Sequence, residues 1–258
     1  MNRTFNPSSL QWFKDRIIES GAEHWARPLW MKLTGKRASR YDAELSEVIA
    51  RALKADSTCI DIGAHKGLVL DVCIRHAPQG TFHAFEPLPY LARLLRRKYR
   101  GNPHVNVYEL ALSDAMGTTT FYINKTSMGC SGLSAPPASD SGSAEIETCT
   151  VRLARLDDLL PEARPDMVKI DVEGAELGVL RGGVKLLARS RPVVVFEHGL
   201  GGADRFGTIP EDVFDLFAGL DLKVSLMERY LANEPSLSRS DFCNEFYNHL
   251  NYCFIAYP

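Results

Sequence analysis

The stretch Asp61-Ile62-Gly63-Ala64-His65-Lys66-Gly67 ends an apolar run with an acid and then places two glycines four residues apart. Glycine permits a tight turn and lets a ligand approach the main chain closely. A helix that starts after such a turn offers free N–H groups and the positive end of its dipole. The chemistry of this loop is to hold a small polar ligand against backbone. A second polar point is Phe85-Glu86-Pro87, where Glu86 follows Gly67 by 19 residues. A carboxylate about 20 residues past a glycine loop, at a strand end, can accept from both hydroxyls of a ribose. Glu86 ahead of Pro87 also reads as a helix-start carboxylate.

Loop and acid together indicate a nucleoside-bearing cofactor. The loop lacks the third glycine of GxGxxG, so a pyrophosphate is poorly served. That favours S-adenosylmethionine, which has no phosphate, over NAD.

A third block, Lys169-Ile170-Asp171-Val172-Glu173-Gly174-Ala175-Glu176, is followed by Val179-Leu180-Arg181-Gly182-Gly183. With DIGAHKG at 61–67, FEP at 85–87 and Ala111-Leu112-Ser113-Asp114, it resembles the FkbM family of methyltransferases over roughly residues 55–200. The chain departs from the family pattern at His65, where asparagine is common. The resemblance implies a class I, Rossmann-like α/β fold: a seven-stranded, mostly parallel sheet with an antiparallel last strand and helices on both faces. It implies S-adenosylmethionine as cofactor and a hydroxyl acceptor on a sugar, glycan or natural product. On that reading Gly63, Ala64, His65 and Gly67 pack their backbone against the methionine part, and Asp61 reaches its ammonium directly or through water. Glu86 holds the ribose, and Ser113 and Asp114 lie at the adenine edge. Ser-Asp ahead of Gly117 reads equally as a turn built by polar side chains.

Methyl transfer needs the acceptor oxygen held in line with the methyl carbon. A hydroxyl also gains from a base. Such groups belong at the carboxyl ends of the middle strands. Asp171 and Glu173 follow the fourth expected strand, and Glu197 and His198 the fifth. His198 is the first choice for the base, because imidazole titrates near working pH. Asp171 with Glu197 and Glu173 form the alternative, a site for Mg²⁺. Asp171, Glu197 and His198 are expected to converge on one cleft. Lys169, in mid-strand, is expected to pair with a carboxylate.

Elements able to position these residues are legible around them. Short apolar runs at about 58–62, 81–85, 105–110, 167–171, 193–197, 222–226 and 252–257 read as strands buried on both faces. Helical spacing lies between them, at Leu45, Val48, Ile49 and Ala52, at Leu91, Leu94 and Leu95, and at Val213, Phe214 and Phe217. The alternation means βαβ units and a parallel sheet. Residues 1–40 read as a helical arm and 41–258 as the Rossmann-like domain. The Ser-, Gly- and Pro-rich stretch 124–148 reads as a flexible insert.

The 258 residues, 45% hydrophobic and 24% charged, suit one α/β domain with a large core. A net charge of −2 argues against a nucleic-acid partner. Arg93, Arg96, Arg97, Lys98 and Arg100 read as the solvated face of one helix. No apolar run reaches the ~20 residues of a membrane span. Six scattered cysteines without a CxxC pair suit a reducing, cytoplasmic setting. Trp12, Trp25 and Trp30 are available for a homodimer contact or a cover over the pocket. Two competing functions are an NAD(P)-dependent oxidoreductase, which the loop and Glu86 alone would permit, and a non-catalytic interaction module on the same fold.

Overall fold

Strands whose residues are apolar on both sides need cover on both faces, and helices supply it here. The computed structural model describes residues 40–125, 131–135 and 145–258. The chain divides into two units, Met1–Asp42 and Ala43–Pro258. The expected arm and its three tryptophans lie outside the described residues.

In chain order, α1 (Arg40–Ala52) precedes β1 (Thr58–Ile62), α2 (Leu68–His76), β2 (Thr81–Phe85), α3 (Pro89–Lys98) and β3 (Val105–Tyr108). Next come β4 (Ala111–Leu112), β5 (Gly117–Asn124), β6 (Ile146–Ala154), α4 (Leu156–Leu159) and β7 (Met167–Ile170). The chain goes on through α5 (Glu176–Gly182), α6 (Val184–Ser190), β8 (Val193–Glu197) and a 3₁₀ turn at Ala203–Phe206. It ends with α7 (Pro210–Gly219), β9 (Lys223–Ser225), α8 (Met227–Leu231), α9 (Arg239–Tyr247) and β10 (Cys253–Tyr257).

Seven strands form the main sheet in the order β3-β2-β1-β7-β8-β10-β9. Neighbours from β3 to β8 are parallel, and β10 runs antiparallel to both β8 and β9. This is the Rossmann-like sheet with an antiparallel last strand that the sequence led us to expect. Strand order reverses between β1 and β7, so their carboxyl ends open a crevice. Register sets what stands there. Asp61 lies opposite Lys169, and Lys169 opposite Val195. These three share one face, because side chains alternate along a strand.

The other face carries Ile60, Ile62, Val168, Ile170, Val194, Phe196 and Phe254 into a core with Leu177 and Leu180 of α5, Val213 and Phe217 of α7, and Phe242 of α9. Each such side chain contributes about 1.5–3 kcal/mol of burial. Among the described residues no helix is long and apolar enough to cross a membrane.

A second sheet, β4-β6-β5, was not expected. Its signal was present in the β-branched and aromatic run Thr118-Thr119-Thr120-Phe121-Tyr122-Ile123. The stretch 124–148 begins and ends in it: Asn124 pairs with Ile146, and Gly132 bridges Tyr122. Residues 126–130 and 136–144 of that stretch lie outside the described residues.

Candidate active site

The glycine loop leaves β1 with Gly63, His65 and Gly67 all in left-handed conformation, at φ of 77°, 48° and 70°. Gly63 and Ala64 N–H both donate to the Phe85 carbonyl at 3.0 Å, which ties the loop to the end of β2. A clamp holds it from behind. Lys98 Nζ donates to the carbonyls of Lys66 (2.9 Å) and Gly67 (3.1 Å) and to Asp71 Oδ2 (2.6 Å). Tyr99 Oη donates to the Gly67 carbonyl and contacts Asp71 Oδ1, each at 2.8 Å. Lys98 therefore leaves the solvated stripe in which sequence placed it. Asp71 and Tyr99 were missed, since no local pattern marks a contact between residues about thirty positions apart.

Glu86 is buried at 4% exposure and bridges two backbones. His65 N–H donates to Oε2 and Leu88 N–H to Oε1, both at 2.9 Å. Glu86 thus holds the helix start, and each carboxylate oxygen keeps a second lone pair. Burial pushes this carboxyl up to about 7, against the pull of the two N–H groups. Glu86→Ala is expected to lose about 1.5–3 kcal/mol of affinity for S-adenosylhomocysteine. Titration calorimetry checks this, and unchanged affinity would remove Glu86 from the ribose site.

Beneath the loop lies a row of charge. Lys169 Nζ stands 2.8 Å from Asp171 Oδ2, 3.9 Å from Asp61 Oδ1 and 3.5 Å from the Gly63 carbonyl. Burial works against the lysine's charge, but Asp171 and Asp61 outweigh it and hold it at about 12. Asp61 is buried with neither oxygen hydrogen-bonded among the described residues, and burial raises its pKa. Glu197, half-buried beside Cys253 Sγ, is pushed up to about 8 by burial and then by Asp171.

An open cleft lies where β1, β2 and β7 end. Gly63, His65, Glu86, Asp171 and Glu173 supply its polar wall. Phe85, Leu110, Leu112, Phe121 and Leu133 supply an apolar one. His65 Nε2 is buried without a hydrogen-bond partner among the described residues.

A family model described as the methyltransferase FkbM domain matches residues 61–224, well over half of the chain, from the loop through β9. The chain belongs to the FkbM methyltransferase family.

Among relatives, the AMB antimetabolite synthetase AmbE of Pseudomonas aeruginosa is 31% identical over 60% of this chain and 9% of its own length. The 2-O-methyltransferase NoeI of Sinorhizobium fredii is 26% identical over 56% of this chain and 65% of its own. The hexuronic acid methyltransferase AglP of Haloferax volcanii is 24% identical over 74% of this chain and 73% of its own. The chain thus spans a small part of the first of these and about two thirds of the second. A crystal structure of methyltransferase FkbM from Methylobacillus flagellatus is 15% identical, with TM-score 0.49, over 80% of this chain and 44% of that one.

Two expectations for this site need correction. His198 does not join the cleft. It follows Val194 and Phe196 on the core face, and its ring stacks on Phe246 at 4.7 Å and Phe242 at 6.0 Å. Both ring nitrogens are buried without a partner among the described residues, and burial pushes the imidazole down to about 4. Alternation along β8 sends neighbouring Glu197 to the opposite face, toward Asp171 and Lys169.

Ser113 and Asp114 also lie away from the cleft walls. They form a turn against α5, where a Cβ on Gly182 would come within 2.1 Å of the Ser113 carbonyl oxygen.

The Mg²⁺ reading finds no support among the described residues, where no three His, Cys, Asp or Glu side chains converge as ligands. Asp171 is already paired with the Lys169 ammonium at 2.8 Å.

Proposed function

We propose that this protein transfers a methyl group from S-adenosylmethionine to a hydroxyl of a sugar, glycan or other small molecule. One observation carries the choice of cofactor. Among the described residues the charged side chains of the cleft wall are carboxylates, Glu86, Asp171 and Glu173, with no lysine or arginine. That lining suits a cationic guest and opposes the pyrophosphate of NAD. His65 Nε2, without a partner among the described residues, and the remaining lone pairs of Glu86 offer hydrogen bonds to it. S-adenosylmethionine, when bound, supplies a methyl carbon on a positively charged sulfur.

In this reading Gly63, Ala64 and His65 hold the methionine end by backbone, and Glu86 accepts from the ribose. The wall of Leu110, Leu112, Phe121 and Leu133 excludes water from the base. Asp61 is absent from the cleft wall and acts on the ammonium through water. The name of the 2-O-methyltransferase NoeI supports an oxygen acceptor, and that of the hexuronic acid methyltransferase AglP supports a sugar acid. The net charge of −2 supports a small acceptor over nucleic acid.

Thermal unfolding with ligands tests this. S-adenosylhomocysteine at a hundred times its Kd is expected to stabilise the protein by about 2.7 kcal/mol, and NAD not at all. Stabilisation by NAD alone would establish the oxidoreductase reading instead. No response to either would return the chain to an interaction module.

A further inference from the structure

We infer that Glu173 is the catalytic residue that takes the proton from the acceptor hydroxyl. The inference rests on the methyltransferase reading above. Glu173 lines the cleft on the turn between β7 and α5. Its backbone is left-handed at φ 58°. Residues bearing a side chain rarely adopt this conformation, and where they do the strain clusters at functional sites. Glycine would suit the position better.

The turn does not need the Glu173 side chain. Its N–H groups at Val172 and Gly174 both donate to Glu176 Oε1 at 3.1 Å. No hydrogen bond or ion pair engages the Glu173 carboxylate among the described residues. Packing holds the residue in place. A Cβ on Gly132 would stand 3.2 Å from that of Glu173, and a Cβ on Gly174 would come within 2.3 Å of the Gly202 backbone.

The other acids at these strand ends are engaged or absent from the wall. Asp171 is taken by Lys169 at 2.8 Å. Glu86 accepts two N–H groups. Glu197 and His198 are not part of the cleft wall.

The step balances as follows. As the acceptor oxygen forms its bond to the methyl carbon, the carbon–sulfur bond breaks and leaves its electron pair on sulfur. The hydroxyl proton passes to a Glu173 carboxylate oxygen and later to water. Burial, Asp171 and Glu176 raise this carboxyl, while Arg205 of the 3₁₀ turn and Lys169 of β7 lower it, with a net value of about 7. A base at that value is half ionised near neutral pH.

The test compares Glu173→Gln and Glu173→Gly with the wild type. Calorimetry with S-adenosylhomocysteine comes first. No binding to the wild type overturns the methyltransferase reading and this inference with it. Equal binding to all three shows an intact cofactor site. Transfer of labelled methyl to hexose and hexuronic acid glycosides is then expected to fall about 10²–10⁴-fold in Glu173→Gln and to lose its rise through pH 7. Glu173→Gly is expected to lose transfer equally yet melt at a higher temperature than the wild type, because glycine takes this φ freely.

A carboxyl raised in the folded state destabilises it progressively as pH rises from the unfolded toward the folded pKa. The melting advantage of Glu173→Gln over the wild type should therefore grow between pH 5 and 8. Melting needs no acceptor and decides alone if none of the panel turns over. Wild-type transfer in Glu173→Gln, a Glu173→Gly that melts below wild type, or a melting difference independent of pH overturns the assignment.

Discussion

Gly63→Ala is expected to cost about 2–5 kcal/mol of stability and to abolish cofactor binding. Two terms add. Left-handed backbone costs a residue with a Cβ about 1–2 kcal/mol. Overpacking adds about 1–3 kcal/mol. The second term is anchored by geometry, since a Cβ at Gly63 would come within 1.9 Å of the Asp171 carbonyl oxygen. That carbonyl cannot withdraw easily, because the Asp171 N–H donates to the Ile62 carbonyl at 3.1 Å and joins β7 to β1. The loop must yield, and it carries both His65 and the bond to Glu86.

From sequence, the glycine at this position reads as room for a ligand to approach the main chain closely. The crowding comes from the neighbouring strand end and exists without ligand. Urea unfolding of Gly63→Ala against Gly101→Ala is the measurement. Gly101 has nothing within 4 Å of a built Cβ and is expected to change by less than about 0.5 kcal/mol. A stable Gly63→Ala that binds S-adenosylhomocysteine normally would show that the contact with Asp171 is relieved at no cost.

Lys169→Met is expected to destabilise the protein by about 3–5 kcal/mol at neutral pH, the usual cost of removing one partner from a buried ion pair. Methionine keeps the volume of the stem, so packing contributes little. The cost arises from Asp61 and Asp171, which lose the cation at 3.9 and 2.8 Å. Asp61 is the more exposed to this loss, with no hydrogen bond to either oxygen among the described residues.

The sign with pH follows from linkage. Lys169 is raised to about 12 in the folded state, so its stabilisation is full below 10.5 and fades as pH rises through 12. Asp61 is raised above 3.8, and the variant raises it further. Its folded state then gains stability on acidification as the carboxyl takes up a proton. The deficit of Lys169→Met should shrink from pH 8 to pH 5. Urea titrations at the two pH values check it. A deficit smaller than about 1 kcal/mol would mean that the pair breaks even with an apolar isostere, and one equal at both pH values would mean that Asp61 takes up no proton in the variant.

Much of this protein is determined locally and was legible without coordinates. Apolar runs of strand length, alternating with helical spacing, define the βαβ units, and those units admit few sheet orders. The motifs at 61–67, 85–87 and 169–176 sit at strand ends, so the sheet brings Gly63, Glu86 and Asp171 to one cleft. The pairing of Lys169 with a carboxylate was legible too, because a lysine within a strand buried on both faces has no water to solvate it.

What lay beyond the sequence was which face each residue takes and which distant residue meets it. Glu197 and His198 are adjacent, and alternation says only that they part. The register of β8 against β7 and β10 decides that the glutamate joins Asp171 and the histidine joins Phe242 and Phe246. Ser113 and Asp114 turn to α5 because β4 pairs with β6 instead of extending β3. Lys98 looks solvated along its helix, yet its amine reaches carbonyls 31 and 32 residues away. Tertiary contact decides such matters because periodicity records only how neighbours along the chain are oriented. A buried charge is settled by whichever partner the packed strands and helices bring within hydrogen-bond reach.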